Sequence, residues 1–128
     1  MSGLVLVDTD VLIDFLRGDE RAAGFMDSHL GRTSVSAISV AEVFAGVRSD
    51  RDAEQIDALF STMEILPVTA AIARQAGIYR GRYRASHGTG IADAVVAATA
   101  EAAHAQLATL NTRHFPMIEG VEPPYRKP

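Results

Sequence analysis

Short apolar runs alternating with helix-length segments predict an α/β fold, a three-layer α/β/α sandwich around a mostly parallel sheet of four to five strands. Leu4-Val5-Leu6-Val7 is the first such run and it drives straight into Asp8. Continuous apolar runs of this kind suit strands covered on both faces. At the other end of the chain, Ile91 to Ala103 is almost wholly small and apolar, as a tightly packed central helix requires.

The elements follow in order. Val11-Leu12-Ile13 with Phe15-Leu16 predicts a short helix stopped by Gly18, and Asp19 or Glu20 opens a second helix through about Leu30. Thr33 to Ser36 reads as a strand, Ser39 to Val47 and Asp52 to Met63 as helices. Ile65-Leu66-Pro67-Val68 is a brief strand whose proline suits a sheet edge. Ile72, Ala76, Tyr79 and Tyr83 fall at i, i+4, i+7, i+11, predicting a helix from Ala70 to Arg84. The loop Ser86 to Gly90 breaks it before Ile91. Leu107 to Leu110 is a strand ending at Asn111, and the proline-rich tail Gly120 to Pro128 is expected to add one edge strand and fray.

A length of 128 residues bounds the chain to one domain, residues 1–128. Without cysteine there is no disulfide, thiolate metal site or cysteine nucleophile. No segment is long and apolar enough for a membrane and no secretory signal is expected, so a cytoplasmic location is the default. The net charge of −4 argues against broad binding to polyanions. Its distribution is uneven: no acid lies between Glu64 and Asp93, where Arg74, Arg80, Arg82, Arg84 and His87 fall.

Ligands bind beyond the carboxyl ends of parallel strands. Asp8, Glu42, Asp93 and Asn111 could all converge there. Each also has an ordinary explanation. Asp8 could cap a helix. Ser39 and Glu42 match a capping box, Asp93 suits a helix start, and Asn111 suits a turn. Carboxylates about 4 Å apart repel by several kcal/mol at an effective dielectric near 20. A gathered set must therefore share a proton or bind a cation. Hard divalent ions take oxygen ligands and assist phosphodiester hydrolysis.

Val7-Asp8-Thr9-Asp10-Val11-Leu12-Ile13-Asp14, Ser39-Val40-Ala41-Glu42-Val43, Gly90-Ile91-Ala92-Asp93-Ala94 and Ala108-Thr109-Leu110-Asn111-Thr112-Arg113-His114-Phe115 together resemble, in order, the motifs of PIN-domain nucleases, most closely the VapC toxins of bacterial toxin–antitoxin pairs. The resemblance implies that Asp8, Glu42 and Asp93 hold Mg²⁺ or Mn²⁺. It puts Asn111 at a fourth position that is often Asp, and Thr9 as the hydroxyl beside the first acid. It also implies endoribonuclease activity, a homodimer, and inhibition by a cognate VapB-type antitoxin. Arg80, Arg82 and Arg84 are candidates for nucleic-acid or antitoxin contact, against a solvated helix end. Tyr79 and Tyr83 read as packing residues, and His114 is the one histidine expected near the site.

Two other classes stay open. Asp8-Thr9-Asp10 after an apolar strand also resembles haloacid-dehalogenase-type phosphatases, which need a lysine by the phosphoryl group; the sole lysine here is Lys127. A module that binds RNA or a protein without cutting it is the third reading.

Overall fold

A computed structural model describes residues 3–126. Four strands, β1 (Val5–Val7), β2 (Thr33–Ser36), β3 (Glu64–Leu66) and β4 (Gln106–Ala108), form a parallel sheet in the order β3-β2-β1-β4. Around it lie six helices: α1 (Thr9–Leu16), α2 (Glu20–Ser28), α3 (Ala37–Phe44), α4 (Asp50–Phe60), α5 (Ala70–His87) and α6 (Ile91–Ala103). The chain steps outward from β1 to β3, then crosses to place β4 on the other side of β1. The sheet order therefore reverses between β1 and β4, where such sheets open a crevice at their carboxyl ends.

Two apolar clusters make this a three-layer fold. Val5, Val7, Val35 and Ala108 join Leu12, Met26, Leu59 and Phe60 on one side. Leu6 and Leu107 join Tyr79, Ala94, Val96 and Phe115 on the other. Side chains alternate across a strand, so Leu6 faces opposite to Val5 and Val7, and the Leu6–Leu107 register keeps both leucines on one face. All three β1 residues are buried, which is why that strand reads as an unbroken apolar run.

Several expectations are corrected. Residues 120–126 form no strand, and Pro123 and Pro124 have no N–H to give a ladder; Lys127 and Pro128 lie outside the described residues. The α3 helix starts at Ala37, straight from β2, and not at Ser39. Helix α5 continues past Arg84 to His87, where Gly88 takes the left-handed conformation (φ 67°) that ends it. Strand β4 ends at Ala108, which leaves Thr109 and Leu110 beyond the sheet.

Candidate active site

Asp8 leaves the end of β1 with its N–H still bonded to the Ala108 carbonyl of β4 at 2.9 Å. It is only 5% exposed. One carboxylate oxygen caps α1 by accepting from the Thr9 N–H at 2.8 Å. The other accepts from Thr109 Oγ1 at 2.8 Å. Capping therefore occupies one oxygen, and the second is directed across the sheet.

Asp10, two residues on, joins the same network. Its Oδ1 accepts from the Val11 N–H at 2.7 Å and its Oδ2 from the Leu110 N–H at 2.9 Å. Thr109 stands between the two acids, 2.8 Å from Asp8 and 3.5 Å from Asp10. A hydroxyl has one proton to give, and the shorter distance assigns it to Asp8. Thr109 Oγ1 also accepts from the Asn111 N–H at 3.1 Å.

This placement is electrostatically costly. Burial, then the charge on Asp10, push the Asp8 carboxyl up to about 7; Asp93 adds to the rise, and the bonds from Thr109 and Thr9 oppose it. Burial also raises Asp10, against bonds from Leu110 and Val11. Neither acid forms an ion pair with a basic side chain among the described residues.

Glu42 reaches the site through Thr9, whose hydroxyl donates to Glu42 Oε1 at 2.7 Å. The Ser39–Glu42 capping box is not made. Ser36 caps α3, accepting from the Ile38 N–H at 3.2 Å, because β2 runs into α3 with no intervening loop. Ser39 then falls inside the helix, its hydroxyl buried without a partner, and Glu42 is free to cross to α1.

Asp93, in the first turn of α6, accepts from the Gly90 N–H at 2.9 Å and lies 3.2 Å from His114 Nδ1. The expected helix-start role is thus present, and His114 is at the site. The imidazole is held by its own backbone, which accepts from Thr89 Oγ1 at 2.8 Å. Gly88 passes beneath it; a Cβ there would sit 3.5 Å from Nε2. Asn111 is exposed at the start of a 3₁₀ turn (Thr112–His114), and its amide makes no capping bond.

Sequence reasoning missed Thr109 and Asp10 as site residues. Asp10 carried a visible signal, as the second acid of Asp8-Thr9-Asp10. Thr109 falls inside the predicted strand Leu107–Leu110 and the fourth motif, where nothing local marks its hydroxyl as a partner of Asp8. Arg82 and Arg84 are exposed on α5, Arg82 against the Tyr83 ring at 5.9 Å. Arg80 is half-buried with its Nε unpartnered. Among the described residues no hydrogen bond or ion pair ties these three to the acids. Tyr79 is buried and donates to Glu101 at 2.5 Å, a packing role as expected.

No three His, Asp or Glu side chains among the described residues are grouped to hold a metal. Thr9 engages Glu42, and Gly90 with His114 engages Asp93. The donors are nonetheless all hard oxygens, and Asp8 is a buried acid beside two like charges. That set fits a Mg²⁺-type ion, which takes one or two carboxylates and keeps its waters.

The sequence matches the family described as PIN domain over residues 5–120. It is 41% identical over 128 residues to Ribonuclease VapC10 of Mycobacterium tuberculosis, covering 98% of this chain and 96% of that protein. Ribonuclease VapC19 of the same organism is 39% identical over 124 residues, covering 94% and 98%. A toxin-antitoxin complex from Klebsiella pneumoniae superposes with a TM-score of 0.83 at 28% identity, over 96% of this chain and 99% of that one.

Proposed function

The chain belongs to the PIN-domain family, among its VapC ribonucleases, and from that premise we propose that it is a metal-dependent endoribonuclease toxin held in check by a VapB-type antitoxin. The observation that carries the reading is the buried Asp8 carboxylate, raised by burial, Asp10 and Asp93 at the crevice between β1 and β4, with no basic partner among the described residues. Fold alone does not give function; unneutralised carboxylates at a switch point call for a cation.

In this reading Asp8 and Asp93 hold Mg²⁺ or Mn²⁺. When bound, the ion supplies charge stabilisation at the phosphoryl group and eases deprotonation of a water. Glu42, oriented by Thr9, helps hold the ion or takes the proton of the attacking water. Thr109 fixes the orientation of Asp8, and Asn111 offers an amide oxygen at the rim. His114 keeps Asp93 turned toward the crevice. Arg80, Arg82 and Arg84 remain candidate RNA or antitoxin contacts on α5. A groove of about 450 Å³ beside Glu42, floored by Ile13, Leu16 and Val43 and edged by Arg17 and Arg48, suits an antitoxin segment with an apolar face.

The test is cleavage of RNA by purified protein with Mn²⁺. Wild type is expected to cut, and Asp8→Asn or Asp93→Asn to lose at least about 100-fold, the scale of a lost transition-state contact. Equal cutting by all three would end the proposal. The phosphatase alternative has no support in the comparisons, whose relatives are named ribonucleases.

A further inference from the structure

The acidic site has a wall that the reaction above does not use. A cavity of about 490 Å³ lies between the first turn of α1, the segment after β4 and the tail, lined by Asp10, Leu110, Asn111, Pro123, Tyr125 and Arg126. Side chains fix the tail there in place of strand pairing. Tyr125 donates its phenol proton to Oδ2 of Asp14 at 2.8 Å, and Asp14 is only 8% exposed. Arg21 donates to the Arg126 carbonyl at 2.9 Å and lies over the Tyr125 ring at 5.9 Å. Asp19 in turn holds Arg21 at 2.9 Å. Burial and the Asp14 carboxylate raise the Tyr125 phenol, so its proton, and the latch it makes, persist through neutral pH.

The latch leaves the exposed Arg126 side chain at the edge of a cavity that opens on Asp10 and Asn111. No carboxylate pairs with its guanidinium among the described residues. An RNA strand must bring one negative charge per phosphate toward an acidic centre on a chain of net charge −4. It therefore needs cations flanking that centre. A guanidinium is suited to the task because its fork of donors matches phosphate oxygens.

We propose that Arg126, pinned beside Asp10 and Asn111 by the Tyr125–Asp14 latch, grips a backbone phosphate of the RNA substrate. Arg126 is a positioning residue, and the inference rests on the ribonuclease reading. Binding of fluorescein-labelled, random-sequence single-stranded RNA, followed by anisotropy in EDTA over a salt series, tests it together with cleavage kinetics in Mn²⁺. Arg126→Ala is expected to flatten the slope of log K against log salt by about 0.7, one phosphate on a single strand. The same variant is expected to raise KM about 5-fold with kcat held. Arg126→Lys keeps the slope, and Tyr125→Phe raises KM while leaving kcat. A wild-type slope and KM in Arg126→Ala would overturn the assignment while cleavage by wild type still stood. Poly-glutamate binding that weakens in Arg126→Ala, with RNA binding unchanged, would give the residue to a protein partner and sink the proposal. A wild type that neither binds nor cuts RNA would remove the ribonuclease reading itself.

Discussion

Asp8 reverses the usual behaviour of a carboxylate with pH. Its ordinary value is 3.8 and the folded protein pushes it up to about 7. Between those limits the native state keeps a proton that the unfolded chain has lost, so stability falls as pH rises from about 4 to 7 and levels off above. At about 1.4 kcal/mol per pH unit, the contribution is bounded at roughly 4 kcal/mol. Urea unfolding in EDTA should therefore show Asp8→Asn gaining on wild type across that window, with little difference below pH 4. Thr109→Val should act the other way. It strips the donor from a buried carboxylate and the acceptor from the Asn111 N–H, for a loss of about 1–3 kcal/mol measured by the same melts. The contrast explains what the residues disclosed beforehand. Asp8 and Asp93 stand out because an acid amid apolar neighbours is conspicuous. Thr109 does not, because its importance lies in a bond to a residue 101 positions away, which no local pattern encodes.

Helix α6 separates capping from chemistry. Asp93 accepts from the Gly90 N–H, and an asparagine can do the same. Asp93→Asn should leave the melting temperature within a degree or two of wild type while removing cleavage. Asp93→Ala should lose about 1 kcal/mol more, read by thermal melts. Gly88→Ala, at the left-handed end of α5, should cost about 1 kcal/mol in thermal melts through its positive φ alone, since the added Cβ would meet His114 at ordinary contact distance. Elements with strong periodicity or continuous burial were legible in the sequence: β1, β2, α5 and α6 all fall close to where the residues put them. The start of α3 was not, since Ser36 and Ser39 are equally good caps and only the direct exit from β2 chooses between them. The tail was misread as a strand because its anchor is the phenol of Tyr125 on Asp14, a side-chain contact invisible to backbone patterning.

As a whole, the molecule is a scaffold that brings Asp8, Asp10 and Asp93 near enough for their charges to act on one another, and in the proposed function an ion settles them. Added Mg²⁺ or Mn²⁺ at pH 7.5 should raise the melting temperature of wild type in proportion to the logarithm of its concentration, and have no such effect on Asp8→Asn. An unmoved wild-type transition at saturating metal would count against ion binding. The homodimer implied by the family likeness should sediment at about twice the 13.7 kDa of one chain. The general architecture was readable from alternating elements, whereas the order β3-β2-β1-β4 was not, since strand order is decided by which helices cover which face. That order also has a bearing on biosynthesis. Asp8 leaves the ribosome 101 residues ahead of its partner Thr109, and β4, the strand that pairs with β1, follows almost as late. Until β4 slots in beside β1, a growing polypeptide has its first acid but no assembled crevice, and a product cut short before β4 should show no cleavage.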